Sequence, residues 1–576
     1  MSGSYITIVF TVVCFFHSVS SFTPCPLLGP AFPALTLDKD SSILTSALAN
    51  LTKKFDEQIS QGSGPHGDVS PNTTSFSVSL FSTNQGTASD SPVFFDYHYT
   101  APSLKGSSSR VEHASRDSIY RIGGLTQIFF VWITLIEKGD SIWSEPVTKY
   151  LPELGSLTKG IRAEKDPIRD VDWENITVGQ LASHMAGLPR SCEDFQKKHA
   201  PSSELTILLL DCADDTGKEG SSVDYGLPPS NDSTSINRNP ARPFDILAQQ
   251  SPVAPPGVTP IYSNIGYQIL GYIIERITGQ PFDDVLKSRI LQPLSLAAGP
   301  PHHRQEEAAL SMYSTISDLS IAGKAILNSS LLPQTQTNRW LKPVTHTSNP
   351  SNSIGYPWII YSSGDYPNTS MVDIYTYYSS ISQYTSYIGL VPDYNVGFAV
   401  LAADSVSAPD LNVHADIIGD VILPALMEMA VKQAGAQFGG QYTASSGLNS
   451  SITVSVDELP GMYVESFVSN GTDFRETLAS LIGVEDPDAL SVRLYPTGLV
   501  SETGAGGSRV AFRAVLQDKN ELADAGTPTC VSWMDVDRLK YHGRALDSFI
   551  FDVDSDKKAI GVEISALELQ LKKVEM

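Results

Sequence analysis

Residues 120–140 read YRIGGLTQIFFVWITLIEKGD. From 125 to 138 the apolar side chains run almost without a break, and Gly139 follows at once. A helix that is apolar on most sides is a buried helix, and a glycine is the usual residue just past a helix end. This stretch therefore predicts a central helix wrapped by the rest of a sizeable domain. Two glycines, Gly123 and Gly124, stand where it begins.

Outward from this helix the chain alternates helical and strand-like patterns. Upstream, residues 41–60 carry Leu44, Leu48, Leu51 and Phe55 at helical spacing. Residues 76–81 and 93–99 read as a β-hairpin. Downstream, 193–250 is a long polar stretch rich in Ser, Asp, Asn and Pro, read as a surface insertion. Residues 261–278 read as a helix, and 384–402 (YTSYIGLVPDYNVGFAVLA) as two strands around a Pro-Asp turn. A Gly/Ser-rich junction at 436–452 separates residues 22–435 from a β-rich region, 453–576, with short alternating segments near 451–456, 490–495 and 509–516.

The 576 residues are 41% hydrophobic, enough for a large core, and carry a formal charge of −24. A chain this acidic lacks the cationic face that nucleic acid or an anionic membrane requires. The apolar run from Tyr5 to Phe16 is too short to span a bilayer, which takes roughly 20 residues. Small residues follow it, so 1–21 reads as a cleaved signal peptide. No later stretch reads as a membrane span. Eight N-x-[ST] sequons begin at Asn50, Asn72, Asn175, Asn231, Asn328, Asn368, Asn449 and Asn470, which suits a secretory-pathway glycoprotein. Removal of Cys14 with the signal leaves four cysteines. Cys192–Cys212, flanking the insertion, is the preferred pair, with Cys25–Cys530 as its complement; four cysteines allow three pairings, and sequence does not choose.

Five stretches in order carry a family resemblance: 120–140, then ITVGQLASHMAGLPR (176–190), PPGVTPIYSNIGYQILGYIIERITGQPF (255–282), MYSTISDL (312–319) and the strand pair at 384–402. Together they resemble the serine β-lactamase and penicillin-binding-protein superfamily, in its class C-like branch with esterases and D-aminopeptidases. The whole chain looks like secreted fungal members found in natural-product gene clusters. The resemblance implies an α/β (α+β) fold: an antiparallel sheet flanked by helices, an all-helical lobe, and a C-terminal β-rich domain.

Active members of that family use Ser-x-x-Lys at a helix start, Tyr-x-Asn, and a strand Lys/His-x-Gly. Here the first register falls on Gly124-Leu125-Thr126-Gln127, so neither an acyl-accepting hydroxyl nor a general base is present. The second survives as Tyr262-Ser263-Asn264. The third reads Tyr377-Tyr378-Ser379, without the cation and without the glycine. By resemblance, Gly124, Gln127, Asn264, Tyr377, Tyr378 and Ser379 line one substrate cavity, Tyr262 is the remaining acid/base candidate, and the helix start at 123–127 offers free N–H groups. Gly and Gln at 124 and 127 should enlarge and neutralise that cavity, suiting a small apolar molecule.

Other chemistry-bearing residues have blander readings. Ser156-Leu157-Thr158-Lys159 repeats the Ser-x-x-Lys spacing but precedes a polar stretch. Thr126 reads as a helix-start hydroxyl. His184 looks like a structural residue behind the groove. His302-His303 lack further ligands at metal spacing, Gly504-Ala505-Gly506-Gly507 reads as a loop, and no cofactor motif is present. Three functions remain open: a non-acylating participant in fungal secondary metabolism, a ligand-binding protein without chemistry, and a serine-type hydrolase or transesterase with an unrecognised nucleophile.

Overall fold

A computed structural model describes residues 22–37, 41–84, 92–104, 113–157, 166–190, 250–297, 312–364, 371–444, 447–504, 506–521 and 530–574. Residues 1–21, expected as a signal peptide, with Cys14, residues 191–249, which cover Cys192 and nearly all of the expected insertion at 193–250 with Cys212 and Asn231, and also His302-His303 and Asn368 lie outside them. The chain divides into two compact units. One comprises residues 34–364 and 371–430; the other contains 22–33 and 431–574. Among the described residues no helix is long and apolar enough to cross a membrane.

The larger unit is built on an eight-stranded antiparallel sheet. Its strands are β1 (Thr74–Ser82), β2 (Phe95–Tyr99), β3 (Thr345–His346), β4 (Asn352–Ile354), β5 (Ile359–Ser363), β6 (Val372–Ile381), β7 (Tyr384–Val391) and β8 (Val396–Asp404). Their order is β2-β1-β8-β7-β6-β5-β4-β3. The expected hairpin is β1–β2, and the Pro-Asp turn joins β7 to β8. Side chains alternate across the sheet with period two. Phe76, Val78, Leu80, Phe398 and Val400 enter a core with helices α1 (Ser42–Gln61) and α6 (Asn412–Phe438). Phe81, Ala399 and Leu401 enter the opposite core, which holds α2 (Thr126–Lys138), α4 (Asn264–Thr278) and α5 (Ile316–Leu327). With both faces covered, β1 is buried along its whole length.

Helix α2 is buried at every residue from Thr126 to Leu135. Each large apolar side chain so enclosed contributes roughly 1.5–3 kcal/mol. Phe130 stacks on Phe282 at 3.9 Å between centroids. Gly139 ends the helix at φ 68°, and its N–H donates to Leu135 O. Close approach needs glycine at Gly323 in α5, where an added Cβ would lie 2.3 Å from Phe81 Cζ.

Short α3 (Val178–Ala182) starts with a capping box: Thr177 accepts from the Gln180 N–H, and the Gln180 side chain accepts from the Thr177 N–H. Helix α4 begins later than the pattern at 261–278 suggests. Ile261 to Ser263 are not helical, because Ser263 is the N-cap: its backbone is extended and its Oγ accepts from the Gly266 N–H at 3.1 Å.

The second unit carries β9 (Gly440–Ala444), β10 (Ser451–Ser455), β11 (Met462–Ser469), β12 (Leu490–Glu502), β13 (Ser508–Asp518), β14 (Ser548–Val553), β15 (Ala559–Ile564) and β16 (Leu569–Lys573). They pair as β10-β9-β16-β15-β14-β13-β12-β11, and β11 pairs back to β10. The eight strands thus close into an antiparallel barrel around Phe512, Phe551 and Tyr442. Gly504, Gly506 and Gly507 lie in the β12–β13 turn. Cys25 and Cys530 are joined by a disulfide, with Cα atoms 5.3 Å apart.

Candidate active site

Gly123 adopts φ +50° between the two-residue strand Tyr120–Arg121 and α2. The chain then makes one tight turn, 123–125, before α2 begins. Tyr262 sits just ahead of the α4 cap, and Asn264 is the first α4 residue. The third wall is β6. These elements enclose a cavity of about 390 Å³ lined by Gly123, Gly124, His184, Arg190, Tyr262, Asn264 and β6 residues 377–381, together with Pro260, Ile354, Pro357 and Ile359. That volume lies near the lower end for small-molecule sites.

Of the residues singled out from sequence, Gly124, Tyr262, Asn264, Tyr377, Tyr378 and Ser379 border this one cavity. Gln127 lies beneath it, fully buried. Its Nε2 donates to the Tyr262 hydroxyl at 3.2 Å and, more weakly, to Asn264 Oδ1 at 3.4 Å. The Tyr377 hydroxyl donates to Gln127 Oε1. Tyr377 is in turn 3.1 Å from His184 Nε2, and His184 Nδ1 accepts from the Ser263 N–H at 3.2 Å. His184 holds a left-handed φ of 59°, uncommon for a side chain of its size, and its ring packs against Tyr262 at 4.7 Å. It therefore forms part of the cavity wall as well as supporting it. Burial pushes its pKa down to about 3, and burial raises the Tyr377 phenol well above its ordinary value. Both are neutral near pH 7.

Three expectations are corrected. The helix start does not offer free N–H groups at 124–126. The Gly124 N–H donates to Ser379 Oγ at 2.7 Å, the Leu125 N–H to Ile122 O, and the Thr126 N–H to Gly123 O. Nor does glycine at 124 enlarge the cavity. A Cβ built there would lie 2.9 Å from Ser379 Oγ and 3.2 Å from the Tyr262 hydroxyl, so the Ser379 side chain already fills that space. The cavity is also not without charge: the Arg190 guanidinium stands 4.9 Å over the Tyr262 ring.

Strand alternation separates the two tyrosines. Tyr377 and Ser379 point toward α2. Tyr378 pairs across the sheet with Tyr387, which belongs to the opposite core, and it is half exposed at the cavity edge. Thr126 turns inward and donates to Gly123 O at 2.6 Å. Ser156 is exposed and takes no part in the cavity; its Thr158 and Lys159 lie outside the described residues. The sequence reading missed Arg190, Ile354, Pro357, Ile359, Ser380 and Ile381 as cavity residues. Ser380 and Ile381 follow the strand motif directly, and continuing along β6 would have found them.

A family model described as "Beta-lactamase" matches residues 107–422, more than half of the chain. The chain belongs to the beta-lactamase family. Residues 430–575 match a second model, a beta-lactamase-like C-terminal domain. Among its relatives, this beta-lactamase-family chain is 26% identical to a "Beta-lactamase-like protein" of Arthroderma benhamiae, over 96% of this chain and 98% of that one. It is 23% identical to "Probable hydrolase clz13" of Cochliobolus lunatus, over 98% and 94%. Among solved structures it is similar to a class C beta-lactamase from Rhodobacter sphaeroides, at 17% identity, a TM-score of 0.44, and 66% and 99% coverage.

Proposed function

We propose that this beta-lactamase-family protein works without an acyl-enzyme. One observation carries the reading: the position that would bear the nucleophile is Gly124, and Ser379 occupies both the space and the N–H that a side chain there would use. The base position is Gln127, a neutral amide committed to neighbouring side chains. What is left is a pocket with Ile354, Ile359 and Ile381 on its walls and Tyr262 as its acid/base group. The ligand is a small, mostly apolar molecule, an intermediate of fungal secondary metabolism, and the step is non-covalent, such as isomerisation, cyclisation or dehydration.

The same reading places the protein in the secretory pathway. The apolar segment ahead of residue 22 supports this, as do the Cys25–Cys530 disulfide and the exposure of all six described sequon asparagines, Asn50, Asn72, Asn175, Asn328, Asn449 and Asn470. A second reading is favoured by the names of two relatives, which are probable hydrolases: hydrolysis through another nucleophile.

Labelling with a fluorophosphonate probe, followed by peptide mass spectrometry, separates the two. The expected outcome is no label on Ser379, Ser380 or Ser382, the serines of residues 375–382. A labelled cavity serine, Ser379 above all, would overturn the proposal and establish the hydrolase reading.

A further inference from the structure

The main-chain acceptors of the turn ahead of α2 are already engaged. Ile122 O accepts the Leu125 N–H and the Ser386 hydroxyl. Gly123 O accepts the Thr126 hydroxyl at 2.6 Å and shares the Thr126 N–H with Gly124 O. The Gly124 N–H goes to Ser379 Oγ at 2.7 Å. That bond occupies one lone pair of the serine oxygen and leaves its proton unused. Among the described residues no acceptor receives this proton, and Ser379 borders the cavity. Ile381, two residues along β6 and so on the same side of the strand, borders it as well. A proton donor therefore stands beside an apolar wall.

The surroundings decide what that donor meets. No carboxylate lines the cavity among the described residues, and the positive end of the α2 dipole lies at Gly124–Thr126, against Ser379. Such a field stabilises an electron-rich oxygen and disfavours a cation. A hydroxyl that already accepts an N–H is also polarised toward donating. We propose that Ser379 donates a hydrogen bond to a carbonyl oxygen of the bound molecule, and so selects ketones, aldehydes or esters over the same skeleton without the oxygen. The inference rests on the reading of this cavity as the site of a small, mostly apolar ligand, and names the polar group that ligand carries. The Gly124 N–H acts on it through the serine hydroxyl, while Ile354, Ile359 and Ile381 hold its apolar body.

The test uses a matched pair of probes, acetophenone and α-methylstyrene, which differ only in C=O against C=CH2. Their dissociation constants are measured by NMR titration on the full chain and its Ser379 variants. The unaltered protein is expected to bind the ketone about threefold or more tightly than the alkene, as one neutral hydrogen bond gives. Ser379→Ala should abolish that preference, and Ser379→Thr, which keeps the hydroxyl, should retain it. Ser379→Cys keeps an acceptor for the Gly124 N–H but donates weakly, so it should lower the preference and reads the effect even if Ser379→Ala fails to fold. The probes share one shape, so a change in cavity size cancels in their ratio. No binding of the ketone, no preference for it in the unaltered protein, or a preference that persists in both Ser379→Ala and Ser379→Cys overturns the inference. A fluorophosphonate adduct on Ser379 would end the non-acylating reading; the probe ratio is taken on unreacted protein and is decided separately.

Discussion

At the scale of the residue, position 124 is decided by its neighbour on β6. The distance of 2.9 Å from a built Cβ to Ser379 Oγ is shorter than real side chains tolerate. Introducing Gly124→Ser with Gln127→Lys therefore crowds the turn, and adding Ser379→Gly relieves it. The triple variant is expected to hydrolyse p-nitrophenyl butyrate at least about tenfold faster than the double, a gap of about 1.4 kcal/mol in barrier. Equal rates would show that Ser379 does not obstruct the position. Much of this site was legible in the sequence, because Gly124, Gln127, Tyr262, Asn264 and Ser379 fall on short motifs in recognisable contexts. The hydrogen-bonded series beneath the cavity was not legible, since it depends on His184 and Tyr377, 193 residues apart, meeting across the core. Arg190 was missed for a similar reason: a cation at the end of a loop carries no periodic signal of what its side chain stacks on.

At the scale of the element, the helix and strand patterns were clear where burial is extreme. Helix α2 is buried from Thr126 to Leu135 and is legible in its nearly unbroken apolar run. The start of α4 was misplaced by three residues because Ile261 and Tyr262 continue the apolar pattern, while the Ser263 hydroxyl ends it by capping. Capping wins here since it satisfies an N–H that would otherwise be buried without a partner. Packing between α5 and the sheet has its own constraint. Gly323→Ala would drive a methyl group into the Phe81 ring, which Gly397 also approaches closely. An overpacked core site costs about 1–3 kcal/mol. Calorimetry should show a lower Tm for Gly323→Ala, although alanine is the better helix former; an unchanged or raised Tm would mean that Phe81 moves aside freely.

At the scale of the whole molecule, two buried histidines contribute to the response to acid. Burial pushes His414 down to about 4 and His184 to about 3, against about 6.5 in an unfolded chain. Between about pH 6.5 and pH 4 the unfolded chain binds protons that these two sites refuse, so stability falls as pH falls through that window. Each contributes on the order of 3 kcal/mol of loss. Asp393 acts oppositely: burial raises it to about 6, so its protonation favours the folded state below that pH. His414→Phe, set among Phe55 and Phe76, should flatten the decline in Tm between pH 6.5 and pH 4. A decline as steep as in the unaltered protein would remove His414 as a cause. The β-rich character of the C-terminal region was plain from its alternating segments, but its closure was not, because strand order is set by pairings between segments as distant as β9 and β16. That closure has a practical consequence. Among the described residues each of the eight strands has a neighbour on both sides, so the ring has no edge strand onto which an extended peptide or another copy of the chain would add a full-length strand. Whatever meets the barrel must recognise the side chains on its outer wall. The open sheet of the larger unit ends instead in β2 and the two-residue β3, and these edge strands leave a margin where backbone-to-backbone association can occur.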